Sequence, residues 1–149
     1  MPAPKELERL GGLFKLASDK NRPFLNQCAD TKYLAVKDYQ GATNRTFKLA
    51  KQTLSEANAG LTSHVDCKGY LAIIRSAVES GQLNSEFIGA LKKLRTQYLQ
   101  KVLRPAIENY LNSKEPKFTE IETLYNDALR IEGLLEVVQF LMKLEAVTE

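Results

Sequence analysis

The side chains in this sequence best suited to chemistry are lysines and arginines on predicted helix faces. Arg45, Lys48 and Lys51 recur every three residues, and a second group lies between Glu86 and Glu108 with no acidic residue in the interval. Cations on helix faces bind nucleic-acid phosphates and release counterions, so the pattern favours backbone binding without sequence specificity. The candidate nucleic-acid contacts are Arg45, Lys48, Lys51, Lys92, Lys93, Arg95, Lys101 and Arg104.

These cations have other interpretations, which the sequence leaves open. They can simply be solvated surface that keeps the protein soluble. Arg95 falls at the edge of an apolar stripe, beside Leu91 and Val102 on the helical wheel. It can pair with an acidic residue of the last predicted helix or reach a backbone phosphate.

Catalytic patterns are missing from the sequence. The one histidine, His64, follows Ser63 and precedes Asp66 too closely for a catalytic triad, whose groups converge from separate elements. We find no glycine-rich phosphate loop and no metal-ligand spacing. Cys28 and Cys67 are 39 positions apart, match no redox motif, and are expected to be reduced core residues. We therefore expect a protein that is not an enzyme and uses no cofactor or metal.

Composition predicts one cytoplasmic globular domain over residues 1–149. Hydrophobic residues make up 44% and charged residues 26%, and neither a signal peptide nor a membrane span is evident. The charge is uneven: residues 1–118 hold 19 Lys+Arg against 11 Asp+Glu, and residues 119–149 hold 2 against 7. This asymmetry suggests a polyanion partner on one surface and a different partner on another.

Helical periodicity recurs along the chain between caps and breakers, so we predict an all-α bundle of five or six helices. Asn21 to Pro23, Gly41, Gly60 and Gly81 mark breaks, and Thr62, Ser63 and Asn84 or Ser85 are candidate caps. Pro105 predicts a kink or a restart near Arg104. The predicted helices cover residues 5–18, 24–39, 42–57, about 62–80, 83–112 and 119–145.

The last predicted helix is apolar on nearly every side in its second half, LLEVVQFLMKL. Such a helix must bury two faces. Either it is central in the bundle or its second stripe is a protein contact surface. The candidate interface residues are Leu134, Val137, Phe140, Leu141 and Leu144.

From Leu61 onward the chain resembles the small, all-helical subunit of CRISPR effector complexes, of the type III (Csm) kind or its type I counterparts. The matching segments are GLTS at 60–63, LNSEFIGALKKL at 83–94 and LYNDALRIEGLLEV at 124–137. The Tyr-x-x-x-Arg ending of the type III central helix is absent, since Tyr98 is followed by Gln100, Lys101 and Val102.

The resemblance implies a non-catalytic protein that packs head to tail along the complex. It would steady the guide RNA–target duplex or the displaced DNA strand through Lys92, Lys93, Lys101 and Arg104. We therefore expect a CRISPR subunit that binds nucleic-acid backbone, other subunits and copies of itself, and no membrane. The alternative is a helical adaptor that binds protein alone.

Overall fold

The chain folds as a bundle of helices in a computed structural model that describes residues 4–56, 65–81, 83–114 and 118–148. Those ranges contain no strand. The elements are α1 (Pro4–Lys20), α2 (Arg22–Lys37), α3 (Tyr39–Glu56), α4 (Val65–Ser80), α5 (Ser85–Gln97), a π-helical segment (Tyr98–Leu103), α6 (Arg104–Asn112) and α7 (Phe118–Thr148). Helix α5, the π-helical segment and α6 follow one another without a break, so the described chain forms six helices and the predicted all-α bundle is confirmed.

Helix α7 is the centre of the bundle. It packs against α1, α2, α3, α5, α6 and the π-helical segment. Leu134 is 1% exposed, and Val137 and Leu141 are 0% exposed. These three residues are core, so their assignment to a protein interface is wrong: neighbouring helices of the same chain already cover both apolar stripes of α7. Phe140 and Leu144 are half-buried and pack against the same core.

Small residues lie at the contact between α2 and α7 and on the buried face of α3. A Cβ at Gly133 would lie 3.1 Å from Leu25 Cδ2 and 3.5 Å from Cys28 Sγ, so the glycine lets α2 lie against α7. On α3 the inward face carries threonines. Thr46 and Thr53 are buried, and their hydroxyls donate to the carbonyls of Ala42 at 2.8 Å and Leu49 at 2.9 Å. Each hydroxyl is therefore satisfied by its own helix, at no cost to the core.

The junction between α2 and α3 differs from the prediction. The inward stripe of α2 consists of four buried residues, Phe24, Cys28, Thr31 and Ala35. Gly41, however, does not end this helix, because α2 stops at Lys37 and α3 begins at Tyr39. The carboxylate of Asp38 accepts a hydrogen bond from the Gly41 N–H at 2.9 Å. A Cβ on Gly41 would collide with that carboxylate, so the glycine permits the cap.

Near Pro105, where the sequence predicted a kink or a restart, the chain stays helical and changes helix type. The backbone N–H of Arg104 donates to the carbonyl of Leu99, five residues back, which is the π-helical pattern. Helix α6 then restarts at Arg104 with Pro105 in its first turn, where a missing N–H costs little. Asn84 caps α5 by accepting from the Phe87 N–H at 2.8 Å, as the sequence predicted. The predicted signals at Gly60, Thr62, Ser63 and His64 lie outside the described residues.

Candidate nucleic-acid interface

The cations of α3 border a groove between α2 and α3, which we call the α2–α3 groove. It encloses about 420 Å³. Arg45 and Lys48 contribute the charge, and none of the described residues lining the groove is acidic. The lining residues are Gln27, Gly41, Asn44, Arg45, Lys48, Leu49 and Gln52.

Arg45 is the better fixed of the two groove cations. Its side chain is half-buried, whereas those of Lys48 and Lys51 are exposed. Burial, together with the smaller effect of the Glu136 charge, raises the pKa of the Cys28 thiol on α2 to about 11, and the charges of Lys32 and Arg45 act in the opposite direction. Arg45 therefore lies close enough to α2 for its charge to act on Cys28.

A second cationic surface lies on α5, where Lys92 and Lys93 are both exposed. The Lys93 ammonium lies 5.9 Å from the centroid of the Tyr70 ring on α4, within the range of a cation–π attraction. We call Lys92 and Lys93 the α5 lysine pair. Arg45 and Lys48 lie at the groove beside α2, and Lys92 and Lys93 lie on α5 beside α4. These four predicted contacts therefore form two surfaces.

Arg95 does not belong to either surface. Its Nη1 lies 3.2 Å from Glu132 Oε1 on α7. This confirms the interpretation in which Arg95 pairs with an acidic residue of the last helix. Its charge is already matched within the fold, which removes it from the strongest candidates for phosphate binding.

Arg104 and Lys101 lie on the continuous helix that follows α5. Arg104 Nε is 3.5 Å from Glu108 Oε1, and the two side chains are 76% and 63% exposed. An ion pair this exposed contributes little and opens easily, so Arg104 stays a candidate contact. Lys101 is also exposed.

The acidic residues of α7 mostly serve the fold. Lys20 Nζ lies 2.7 Å from Glu122 Oε1, and the Tyr39 hydroxyl donates to Glu145 Oε2 at 3.3 Å. Together with the Arg95 pair, these contacts match basic or hydroxyl groups of the earlier helices to carboxylates of α7. Two cations of the basic part of the chain, Lys20 and Arg95, therefore pair with carboxylates of α7.

A polar cluster at the junction of α1 and α2 was not predicted. Asn21 is 2% exposed, and its amide donates to the Asn126 carbonyl and to Asn126 Oδ1, both at 3.1 Å. Arg130 Nε donates to Asn21 Oδ1 at 3.0 Å. The sequence marked Asn21 only as a helix break. The sequence did contain one signal of this cluster: the apolar stripes of α7 are interrupted by Asn126, Asp127 and Arg130.

Asp127 and Tyr98 extend this cluster into the core. The Tyr98 hydroxyl lies 3.3 Å from Asp127 Oδ2 and 3.3 Å from the Leu124 carbonyl. Burial raises the pKa of the Asp127 carboxyl to about 6, although the hydrogen bond with Tyr98 acts in the opposite direction. Burial, and then the Asp127 charge, raise the pKa of Tyr98 above its usual value. These groups mainly satisfy one another, so the cluster holds α1, α2 and the π-helical segment on α7.

Within the described ranges, no group of three or more His, Cys, Asp or Glu side chains could hold a metal ion. No helix in the same part of the chain is long and apolar enough to cross a membrane. No family model matches the chain, and no curated protein and no solved structure matches it either.

Proposed function

We propose that this chain is a non-catalytic small subunit of a CRISPR RNA-guided effector complex that binds nucleic-acid backbone without sequence specificity. Cytoplasmic location and packing beside other subunits belong to the same proposal. The resemblance of residues 61–144 to such subunits supports the assignment to a complex. The cationic surfaces support the binding.

One observation carries the binding proposal: cations without a carboxylate partner are grouped on two helix faces, one on α3 and one on α5. Among the described residues, no carboxylate pairs with Arg45, Lys48, Lys51 or Lys92, whereas Lys20 and Arg95 are paired with α7. Cations without a carboxylate partner break no ion pair when they bind phosphates, and their binding releases counterions from the polyanion.

A salt titration tests this proposal. Fluorescence anisotropy with labelled single strands and duplexes should show binding at low salt that weakens steeply as salt rises. The variant Lys48→Ala/Lys51→Ala/Lys92→Ala/Lys93→Ala should bind more weakly. The slope of log affinity against log salt should shrink by about 0.7–0.9 for each phosphate that the variant no longer neutralises.

The matched control is Lys15→Ala/Lys37→Ala/Lys114→Ala/Lys143→Ala, which also removes four exposed lysines, all of them outside both surfaces. It should change binding far less than the variant of the two surfaces. Undetectable binding at low salt, or equal effects of the two variants, would overturn the binding proposal.

Membership of a CRISPR complex needs its own test. The tagged chain, purified from cells that express it naturally, should bring down small RNAs that carry CRISPR repeat sequence. Purified material that contains no such RNA would contradict the assignment, whatever the result of the salt titration.

The alternative function, a protein-binding adaptor without a nucleic-acid role, has one observation in its favour. Tyr33 and Val36 on the outer face of α2 are 67% and 69% exposed. Single apolar residues on a surface are common, so this feature is weaker than the unmatched cations. Binding to protein partners with no binding to any nucleic acid would favour the adaptor.

A further inference from the structure

We propose that the α2–α3 groove binds one nucleotide unit of a single-stranded nucleic acid, with its phosphate on Arg45 and Lys48 and its base against amide side chains. This inference rests on the proposed function and assigns part of the binding to one concave site. The α5 lysine pair then acts as a separate, purely electrostatic contact.

The groove has the size and charge for such a ligand. Its volume of about 420 Å³ lies within the range of about 300–1,000 Å³ typical of small-molecule sites. Arg45 and Lys48 stand one helical turn apart on α3, and no carboxylate among the described residues neutralises them. An anionic group is therefore the favoured ligand at this end of the groove.

The remaining polar groups of the groove suit a base better than a second phosphate. Gln27 from α2 and Asn44 and Gln52 from α3 all line the groove. An amide side chain offers both donors and an acceptor, which matches the mixed edge of a nucleobase, whereas a phosphate diester offers acceptors alone. Gln40 Nε2 donates to Asn44 Oδ1 at 3.2 Å, which leaves the Asn44 Nδ2 group for a ligand.

The lining also includes apolar surface. Leu49 and Gly41 both contribute to it, but Leu49 is only 3% exposed. The face of a base therefore gains a small apolar contact, and the amides are its main partners. Without an aromatic ring among the described lining residues, base stacking is weak and the site tolerates different bases.

These features favour single strands over duplexes. In a duplex the base edges are paired and the bases are stacked inside, so the amides of a surface groove cannot reach them as they reach the unstacked bases of a single strand. A free nucleotide shares the same chemistry, so the test must separate it from a strand.

The test uses Gln27→Ala/Asn44→Ala, which removes two amides and keeps every cation. Anisotropy should show about tenfold weaker binding of a labelled single strand, as expected when two hydrogen bonds are removed, with duplex binding unchanged. Asn26→Ala/Asn112→Ala is the matched control, because it removes two exposed amides outside the groove. It should leave single-strand binding intact.

Two further measurements make the result specific. The Gly41 backbone amide and the Asn44 side-chain amide should shift in NMR spectra when a short single strand is added, with the fold otherwise unchanged. Adenosine monophosphate should compete at much higher concentration than the strand, and inorganic phosphate at higher concentration still.

Each contrary outcome has a distinct meaning. If the amide variant binds single strands normally while Lys92→Ala/Lys93→Ala abolishes binding, the groove inference fails and the proposed function stands. If adenosine monophosphate competes as well as the strand, the groove binds free nucleotides and the strand assignment fails. If no nucleic acid binds at low salt, the inference and the proposed function both fail.

Discussion

At the scale of single residues, Asp127 is a carboxyl group whose ionisation the fold opposes. Its folded pKa of about 6 lies above the ordinary value of 3.8 because the carboxyl is buried. A raised pKa means that folding favours the protonated form. The stabilisation is complete below about pH 4 and is lost as the pH rises through 6.

Asp127→Asn should therefore raise the free energy of unfolding at pH 7.5 by about 1–2 kcal/mol and change it little at about pH 3, where the carboxyl is protonated in both states. The asparagine keeps a carbonyl oxygen that accepts from the Tyr98 hydroxyl, so only the charge is removed. Urea denaturation at the two pH values measures the effect. The difference in the free energy of unfolding between wild type and variant reports the Asp127 carboxyl alone, because the nearby Lys20, Glu122 and Arg130 are present in both proteins.

Asp30→Asn is the matched control, because that carboxylate is exposed on α2. It should alter stability by less than about 0.5 kcal/mol at both pH values. A variant at Asp127 that is less stable than wild type at pH 7.5 would show that the ionised carboxylate is well accommodated.

At the scale of elements, periodicity predicted the helices but could not decide what covers them. The stripe that contains Leu141 has the same spacing whether its cover is another helix of the chain or another protein. The positions of α1, α2 and α3 around α7 settle the question, and those helices lie far from α7 in sequence. Gly41 was misplaced for a related reason, since its role depends on the side chain of Asp38.

Leu141→Glu should unfold the protein. The side chain is 0% exposed, so the change removes core packing and buries a charge without a partner. A decrease of more than about 4 kcal/mol in the free energy of unfolding is expected, visible as reduced helicity in circular dichroism.

Ala146→Glu, on the exposed side of the same helix, should leave the helicity unchanged. A Leu141→Glu variant that stays helical but no longer binds a partner would restore the interface interpretation of α7.

At the scale of the whole molecule, the cations divide into those that pair with α7 and those that do not. Lys20 and Arg95, near α7, are paired with its carboxylates. Lys48 on α3 and Lys92 on α5 face outward and have no carboxylate partner in the part of the chain that the structure describes. All of these cations look alike in the sequence, because pairing at Arg95 depends on Glu132, which lies 37 residues away.

The polar cluster could not be predicted for the same reason. The partners of Asn21 lie 105 and 109 residues along the chain, and no local pattern connects positions so far apart. Local signals therefore predicted the helices and the cap at Asn84, whereas the pairing of charges and amides required the packed bundle.

Two neighbouring substitutions on α5 should separate structural from binding cations. Arg95→Ala should lower stability by about 0.5 kcal/mol or less, since its ion pair is partly exposed, and should leave nucleic-acid affinity nearly unchanged. Lys92→Ala should lower the affinity and leave stability unchanged. Denaturation and anisotropy on the same two proteins measure both quantities, and a larger decrease in affinity at Arg95 would contradict the assignment.

The central place of α7 also bears on how the chain folds during its synthesis. Every helix that packs on α7 precedes it in chain order, so all of them leave the ribosome before the surface they bury against exists. Their closing contacts span more than 100 residues, as between Tyr39 and Glu145 at a separation of 106. Contacts this distant slow folding in comparison with helical proteins built from local contacts. The nascent chain therefore exposes the apolar faces of α1, α2 and α3 until α7 emerges, and apolar surface exposed in this way promotes aggregation during synthesis.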